Sequence, residues 1–221
     1  AELRDELLFK QPETSHRGDC PICCLPMPLD LSKSIVAVCC SKSICRGCDI
    51  ANHKLQDKDE MPSNSCAFCR EPVPSTKEEY DRNTTIRIEV NDPVALGQWG
   101  YMRYSEGDYK RAFGYYVKAA ELGEVDAHFR LSLMYYYGHG VEKDKGKEVP
   151  HMEEAAIGGH PSARYNLGCH EWNNGNTERA VKHCIIAASQ GHDESIKPLM
   201  DAFKSGMVSK EVLSAALRAH Q

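Results

Sequence analysis

The chain has 221 residues, enough for one or two domains with a real core, and carries 27 Lys and Arg against 32 Asp and Glu, a formal net charge of −5. The acidic excess is spread out, 12 basic against 15 acidic residues over 1–91 and 15 against 17 beyond, so there is no Lys/Arg stripe to neutralise phosphates and no nucleic-acid partner is expected. No segment approaches the roughly 18 consecutive apolar residues of a membrane-spanning helix, so no membrane partner is expected either.

The opening AELRDELLFK has neither an initiator Met nor the basic-then-apolar order of a secretory signal. It reads as a fragment or a processed form, with residues 1–18 expected as a tail or short helix. An intracellular location, cytoplasmic or nuclear, is the matching expectation.

Seven of the 11 cysteines fall between Cys20 and Cys48, and two more follow at Cys66 and Cys69. A chain this long needs no disulfide framework, which turns the cluster towards metal. Cys20-x2-Cys23, Cys45-x2-Cys48 and Cys66-x2-Cys69 can each present two thiolates to a tetrahedral zinc ion. Adjacent Cys39 and Cys40 supply a fourth pair, so eight sulfurs suffice for two closed sites and Cys24 is left over. His53 is the alternative ligand in the second site. A zinc saturated by four thiolates leaves no position for water or substrate, so the expected role of both ions is structural.

DCPIC at 19–23, CCSKSICRGC at 39–48 and CAFCREP at 66–72 resemble the RING finger family. The resemblance implies a small α+β zinc module over residues 19–74 in which pairs one and three hold one ion (Cys20, Cys23, Cys45, Cys48) and pairs two and four the other (Cys39, Cys40, Cys66, Cys69). It departs from the family at Lys42, where a histidine is usual, and at Ala67, where proline is usual. Lysine cannot ligate at neutral pH, so an all-cysteine variant is expected. By the same resemblance Ile22, Arg70 and Pro72 would contact a ubiquitin-conjugating enzyme charged with ubiquitin, and no residue of this chain would form a covalent intermediate.

Residues 75–91 read as a linker helix, with Ser75 and Glu78 as its capping box. Asp92 and Pro93 then begin a helical region. KAAELGE (118–124), EAAIGGH (154–160) and IAASQGH (186–192) align, as do Ala95, Ala127 and Ala163 ahead of them. Periods of 32 and 36 residues with two helices each predict an all-α helical-hairpin repeat solenoid. The units are 92–124, 125–160 and 161–192, with a capping unit at 193–221. Small residues at Gly100, Ser132 and Gly168 let paired helices approach, and Gly107, Gly138 and Gly175 serve the turns. Pro150 predicts a late start or a kink in the second helix of the middle unit.

LSLMYYYGHGVEKD is similar to the SEL-one-like repeat, and YSEGDYKRAFGYYVKAA to its tetratricopeptide relative. That resemblance implies a partner groove lined by first helices, near which the register puts Tyr101, Tyr104, Phe129, Tyr136, Tyr137, Tyr165 and Trp172. The histidines of this half lack metal-ligand spacing on any one helix face and are expected to be solvated; Cys169 and Cys184 are expected to be buried small hydrophobes, not a disulfide. Together these features predict a RING-type ubiquitin ligase with a protein substrate on the repeats. The alternative is a non-enzymatic interaction scaffold with a structural zinc module.

Overall fold

A computed structural model describes residues 2–12, 16–56 and 64–220. The stretch 57–63, which the expected zinc module includes, and residues 13–15 of the expected N-terminal tail lie outside the described residues. The chain divides into two compact units, Arg17–Glu124 and a discontinuous one made of Ala1–His16 with Val125–Gln221.

In the Arg17–Glu124 unit, two turns of the same construction carry the first and last cysteine pairs. In one, Cys20 N–H donates to Leu25 O, Cys24 N–H to Cys20 O and Met27 N–H to Gly18 O; in the other, Cys66 N–H donates to Glu71 O, Arg70 N–H to Cys66 O and Val73 N–H to Asn64 O. Each closes with an antiparallel bridge, Asp19 to Pro26 and Ser65 to Pro72. Both need a left-handed residue after the second cysteine, and Cys24 (φ 57°) and Arg70 (φ 63°) adopt it. Between them a short hairpin pairs β1 (Ser34–Val36) with β2 (Ser43–Cys45), Ile35 opposite Ile44. Helix α1 (Glu2–Phe9) belongs to the other unit, and α2 (Arg46–Gln56) starts inside the third cysteine pair. Cys20, Met27 and Ile44 form a small core, with Phe68 packed on it.

Helix α3 (Lys77–Glu89) is capped one residue later than expected. Thr76 Oγ1 accepts from Glu79 N–H, and Glu79 reaches back to the N–H of Ser75 at 2.9 Å, so the reciprocal box is Thr76 with Glu79 rather than Ser75 with Glu78. Asp92 caps α4 (Pro93–Ser105), with Pro93 opening the helix where a missing N–H costs nothing. Its carboxylate also pairs with Arg87 at the end of α3. Asp108 caps α5 (Tyr109–Glu121). Gly100 lets the two helices meet, since a Cβ there would lie 2.9 Å from the Tyr116 ring.

In the discontinuous unit, α6 (Val125–Tyr137) pairs with α7 (Lys145–Ile157) and α8 (Pro161–Asn173) with α9 (Thr177–Ser189); α10 (Ile196–Lys204) and α11 (Lys210–His220) pack on α9. The six helices from α4 to α9 are each 13 residues long. The start of α7 corrects the expectation from Pro150. Asp144 accepts the Lys147 N–H at 3.2 Å, which starts the helix at Lys145, and the helix runs through Pro150. Ser132 and Gly168 are buried at the helix contacts, Gly168 so closely that a Cβ would stand 3.2 Å from Ala180 O.

Helix α1 is the element that sequence periodicity did not place. It lies against α7 and α9, with Leu8 inserted among Met152, Ala155, Ala156, Ala163 and Leu167. A two-turn helix is marginal on its own in water, so this packing sustains it.

Candidate metal centres and interaction surfaces

The Cys39–Cys40 turn ends at left-handed Ser41, whose N–H donates to Ala37 O. This brings two adjacent thiols beside the last cysteine turn. The eight cysteines form two sets, Cys20, Cys23, Cys45 and Cys48, and Cys39, Cys40, Cys66 and Cys69, each with its four sulfurs within 4.8 Å of one another. None of the chain's cysteines is in a disulfide. A metal with sulfurs at about 2.3 Å in a tetrahedron has S···S edges of about 3.8 Å. Cys23 to Cys45 and Cys40 to Cys66 each measure 3.8 Å, and Cys69 to Cys39 measures 3.2 Å. Each set is therefore of a size to hold one metal ion.

The electrostatics also suit a cation. Burial opposes ionisation of Cys20, but backbone N–H groups of Cys23, Cys45 and Ile22 outweigh it and bring the thiol down to about 6. Its neighbour Cys48 is pushed up to about 12, by burial and then by the other three sulfurs. In the second set burial and the neighbouring sulfurs raise Cys39 and Cys40, while N–H groups of Phe68 and Cys69 lower Cys66 against its burial. Four clustered thiols cannot all ionise against one another. A divalent ion offsets that repulsion and releases protons on binding. Cys24, the thiol outside both sets, is exposed.

His53 stands on α2 with its Nε2 3.6 Å from Asp49, half exposed. It is not a member of the second sulfur set, where Cys39 is the fourth group. Ile22 is 47% exposed, and Arg70 and Pro72 are exposed as well.

The aromatic residues expected in a groove fall in both units. Tyr101 and Tyr104 lie on α4 in the first unit, Tyr101 exposed and Tyr104 edge-on to Tyr109 at 4.9 Å. Phe129 packs on the core and stacks on His160, ring centroids 4.2 Å apart. Tyr136 and Tyr137 are exposed and pack edge to face on each other. Tyr165 and Trp172 do share a cavity, of about 340 Å³, with Cys169, Cys184, Glu194, Lys197, Pro198 and Asp201. Cys169 is exposed here and Cys184 buried, so only the second behaves as a small hydrophobe.

Two histidines depart from the solvated expectation, because spacing within one helix says nothing about what neighbouring helices cover. His160 is buried at the start of α8, its Nδ1 accepting from Ala163 N–H at 3.3 Å. That leaves Nε2–H facing Asp126 Oδ1 at 3.3 Å, while His16 Nε2 approaches the same oxygen at 2.9 Å. Burial opposes ionisation of Asp126, yet the hydrogen bonds from His16 and His160 hold its carboxyl far below the usual range. The three groups lie within 4.8 Å of one another, but with His160 Nε2 used as a donor they act as a hydrogen-bonded clasp between residue 16 and helices α6 and α8. His183 is the second buried histidine, with no exposed surface.

The family-model match falls on the helical half. Residues 95–124, 125–147 and 161–192 match the family model described as Sel1 repeat. A 56-residue stretch is 43% identical to the "Putative beta-lactamase HcpC" of Helicobacter pylori strain J99, over 25% of this chain and 19% of that protein. Another of 86 residues is 34% identical to chitin synthase regulatory factor 4 of Schizosaccharomyces pombe, over 38% of this chain and 14% of that one. The chain thus spans less than a fifth of the length of these relatives. Among solved structures, a Sel1 repeat protein from Oxalobacter formigenes superposes with a TM-score of 0.59 at 24% identity, over 67% of this chain and 46% of that one. The c5321 antigen of uropathogenic Escherichia coli, which displays the SLR fold, gives a TM-score of 0.51 at 24% identity, over 67% of this chain and 33% of that one. The helical part of the chain shares this repeat-solenoid fold, and its residues 95–124, 125–147 and 161–192 are similar to Sel1 repeats.

Proposed function

We propose that the chain is a non-enzymatic protein-interaction scaffold, in which Sel1 repeats bind protein partners and an all-cysteine module holds two structural zinc ions. The observation that carries this reading is the pairing of Sel1 repeats with two sets of four thiols that leave no open coordination position. Zinc is the metal that tetrahedral thiolate sets suit best, and its folding energy would order a module with only a small apolar core. The cavity between Tyr165 and Trp172 supplies an aromatic surface with charged Glu194, Lys197 and Asp201 at its edge. Its mixed lining fits a peptide segment of a partner. The likeness to a chitin synthase regulatory factor supports a role exerted through other proteins.

A second reading rests on Ile22, Arg70 and Pro72, all exposed on the turns that carry the first and last cysteine pairs. They would dock a ubiquitin-conjugating enzyme, making the module a RING-type ligase that brings ubiquitin to a substrate held by the repeats. One preparation separates the readings. Native mass spectrometry counts the zinc ions, and autoubiquitination is then assayed against a panel of conjugating enzymes. Two ions without ubiquitin transfer support the scaffold; transfer that is lost on Ile22→Ala establishes the ligase.

A further inference from the structure

Helix α1 sits on the repeats as a ligand would. One turn before Leu8 and Phe9, Arg4 Nε donates to Glu153 at 2.8 Å and Asp5 accepts from Arg179 at 2.7 Å. Phe9 packs on the His183 ring, centroids 4.7 Å apart, with the Arg179 guanidinium 4.8 Å above it. Gln11 Nε2 donates to Ser189 Oγ at 2.8 Å. Charge and shape are therefore complementary at Arg4, Asp5, Leu8 and Phe9.

The fit fails at its C-terminal end. Arg164 and His183 are both 0% exposed. Arg164 spends Nη2 on one long bond, 3.3 Å, to Lys10 O. Its Nε and Nη1, and both ring nitrogens of His183, have no partner among the described residues. A buried guanidinium normally meets a carboxylate with two parallel bonds, and each buried donor left unmet is destabilising. A backbone carbonyl is a poor occupant of such a place.

From this geometry we propose that the groove between α7 and α9 is a recognition site for short amphipathic helices with Arg-Asp one turn ahead of Leu-Phe and a carboxylate at the C-terminal end, and that α1 occupies it in cis until such a helix displaces it. The proposal rests on the scaffold reading and names its partner class. Arg179 faces the partner's acid, Glu153 and Glu154 face its arginine, Ala155, Ala156 and Ala163 make room for its leucine, and Arg164 takes its terminal carboxylate.

The probe is a labelled peptide of residues 2–10, ELRDELLFK, made with a free carboxylate and as the amide. Fluorescence anisotropy follows its binding to the full zinc-loaded chain and to the Leu8→Ala/Phe9→Ala chain, whose own helix holds the groove weakly. The variant is expected to bind at least tenfold more tightly than wild type, and the carboxylate form about tenfold more tightly than the amide. On unmodified chain, hydrogen exchange of the amides of α1 rises when the carboxylate probe is added, a readout that does not depend on the variant folding. No binding by the variant together with unchanged exchange overturns the proposal, and equal affinity of the two probe forms overturns the role of Arg164. Neither result bears on ubiquitin transfer or on the Tyr165–Trp172 cavity, so the scaffold reading stands or falls separately.

Discussion

The eight clustered cysteines were legible because a metal needs pairs at fixed spacing, and spacing survives in a linear string. The spacing gave the pairs, and the RING resemblance gave their sorting into two sets; on the zinc proposal Cys66→Ser is expected to lower bound zinc from two ions to one by native mass spectrometry, while His53→Ala leaves both. Burial of single residues is a different matter, since it depends on which helices cross above them. His183 illustrates this: burial, then the nearby charge of Arg164, pushes it down from 6.5 to about 4. The unfolded chain then takes up a proton below pH 6.5 that the folded chain refuses until about pH 4. Stability is therefore full above 6.5 and is lost as pH falls between those values, by up to roughly 3 kcal/mol. Urea unfolding at pH 7.5 and pH 5 measures the loss. His183→Leu flattens the profile only in part, because burial lowers His160 and His192 in the same direction.

Helix boundaries depend on capping chemistry, and there the sequence offers near-equivalent choices. Ser75 and Thr76 both precede a glutamate by three residues; Thr76 wins because its box leaves Glu79 free to bond the Ser75 backbone. Thr76→Ala is expected to cost about 1 kcal/mol, measured by urea denaturation. Close approach is the other element-level constraint. At Gly100 an added Cβ meets the Tyr116 ring at 2.9 Å, so Gly100→Ala should destabilise the α4–α5 pair by about 1–3 kcal/mol, seen in the same measurement. The 32- and 36-residue periods carried the repeat hairpins plainly, since each hairpin repeats its small residues and turn glycines. Helix α1 has no such repetition. Its Leu8 and Phe9 are ordinary residues until α7 and α9 surround them, and a single short helix leaves no period to read.

At the scale of the molecule, the cysteine module and the repeats draw their stability from different sources. The module has a small apolar core around Cys20, Met27 and Ile44 and would depend on the metal proposed for it, whereas α6 to α11 bury Leu, Met and Ala along their length. A chelator is therefore expected to raise hydrogen exchange across residues 19–56 and 64–74 while that of α6 to α9 changes little. The order of the chain adds one more consequence. Because Ala1–His16 is grouped with Val125–Gln221, this segment finds its seat on helices that lie more than 100 residues further along the chain. During synthesis Leu8 lacks its core neighbours until α7 and α8 have left the ribosome, so residues 2–12 stay available to other binders while the intervening segment is made.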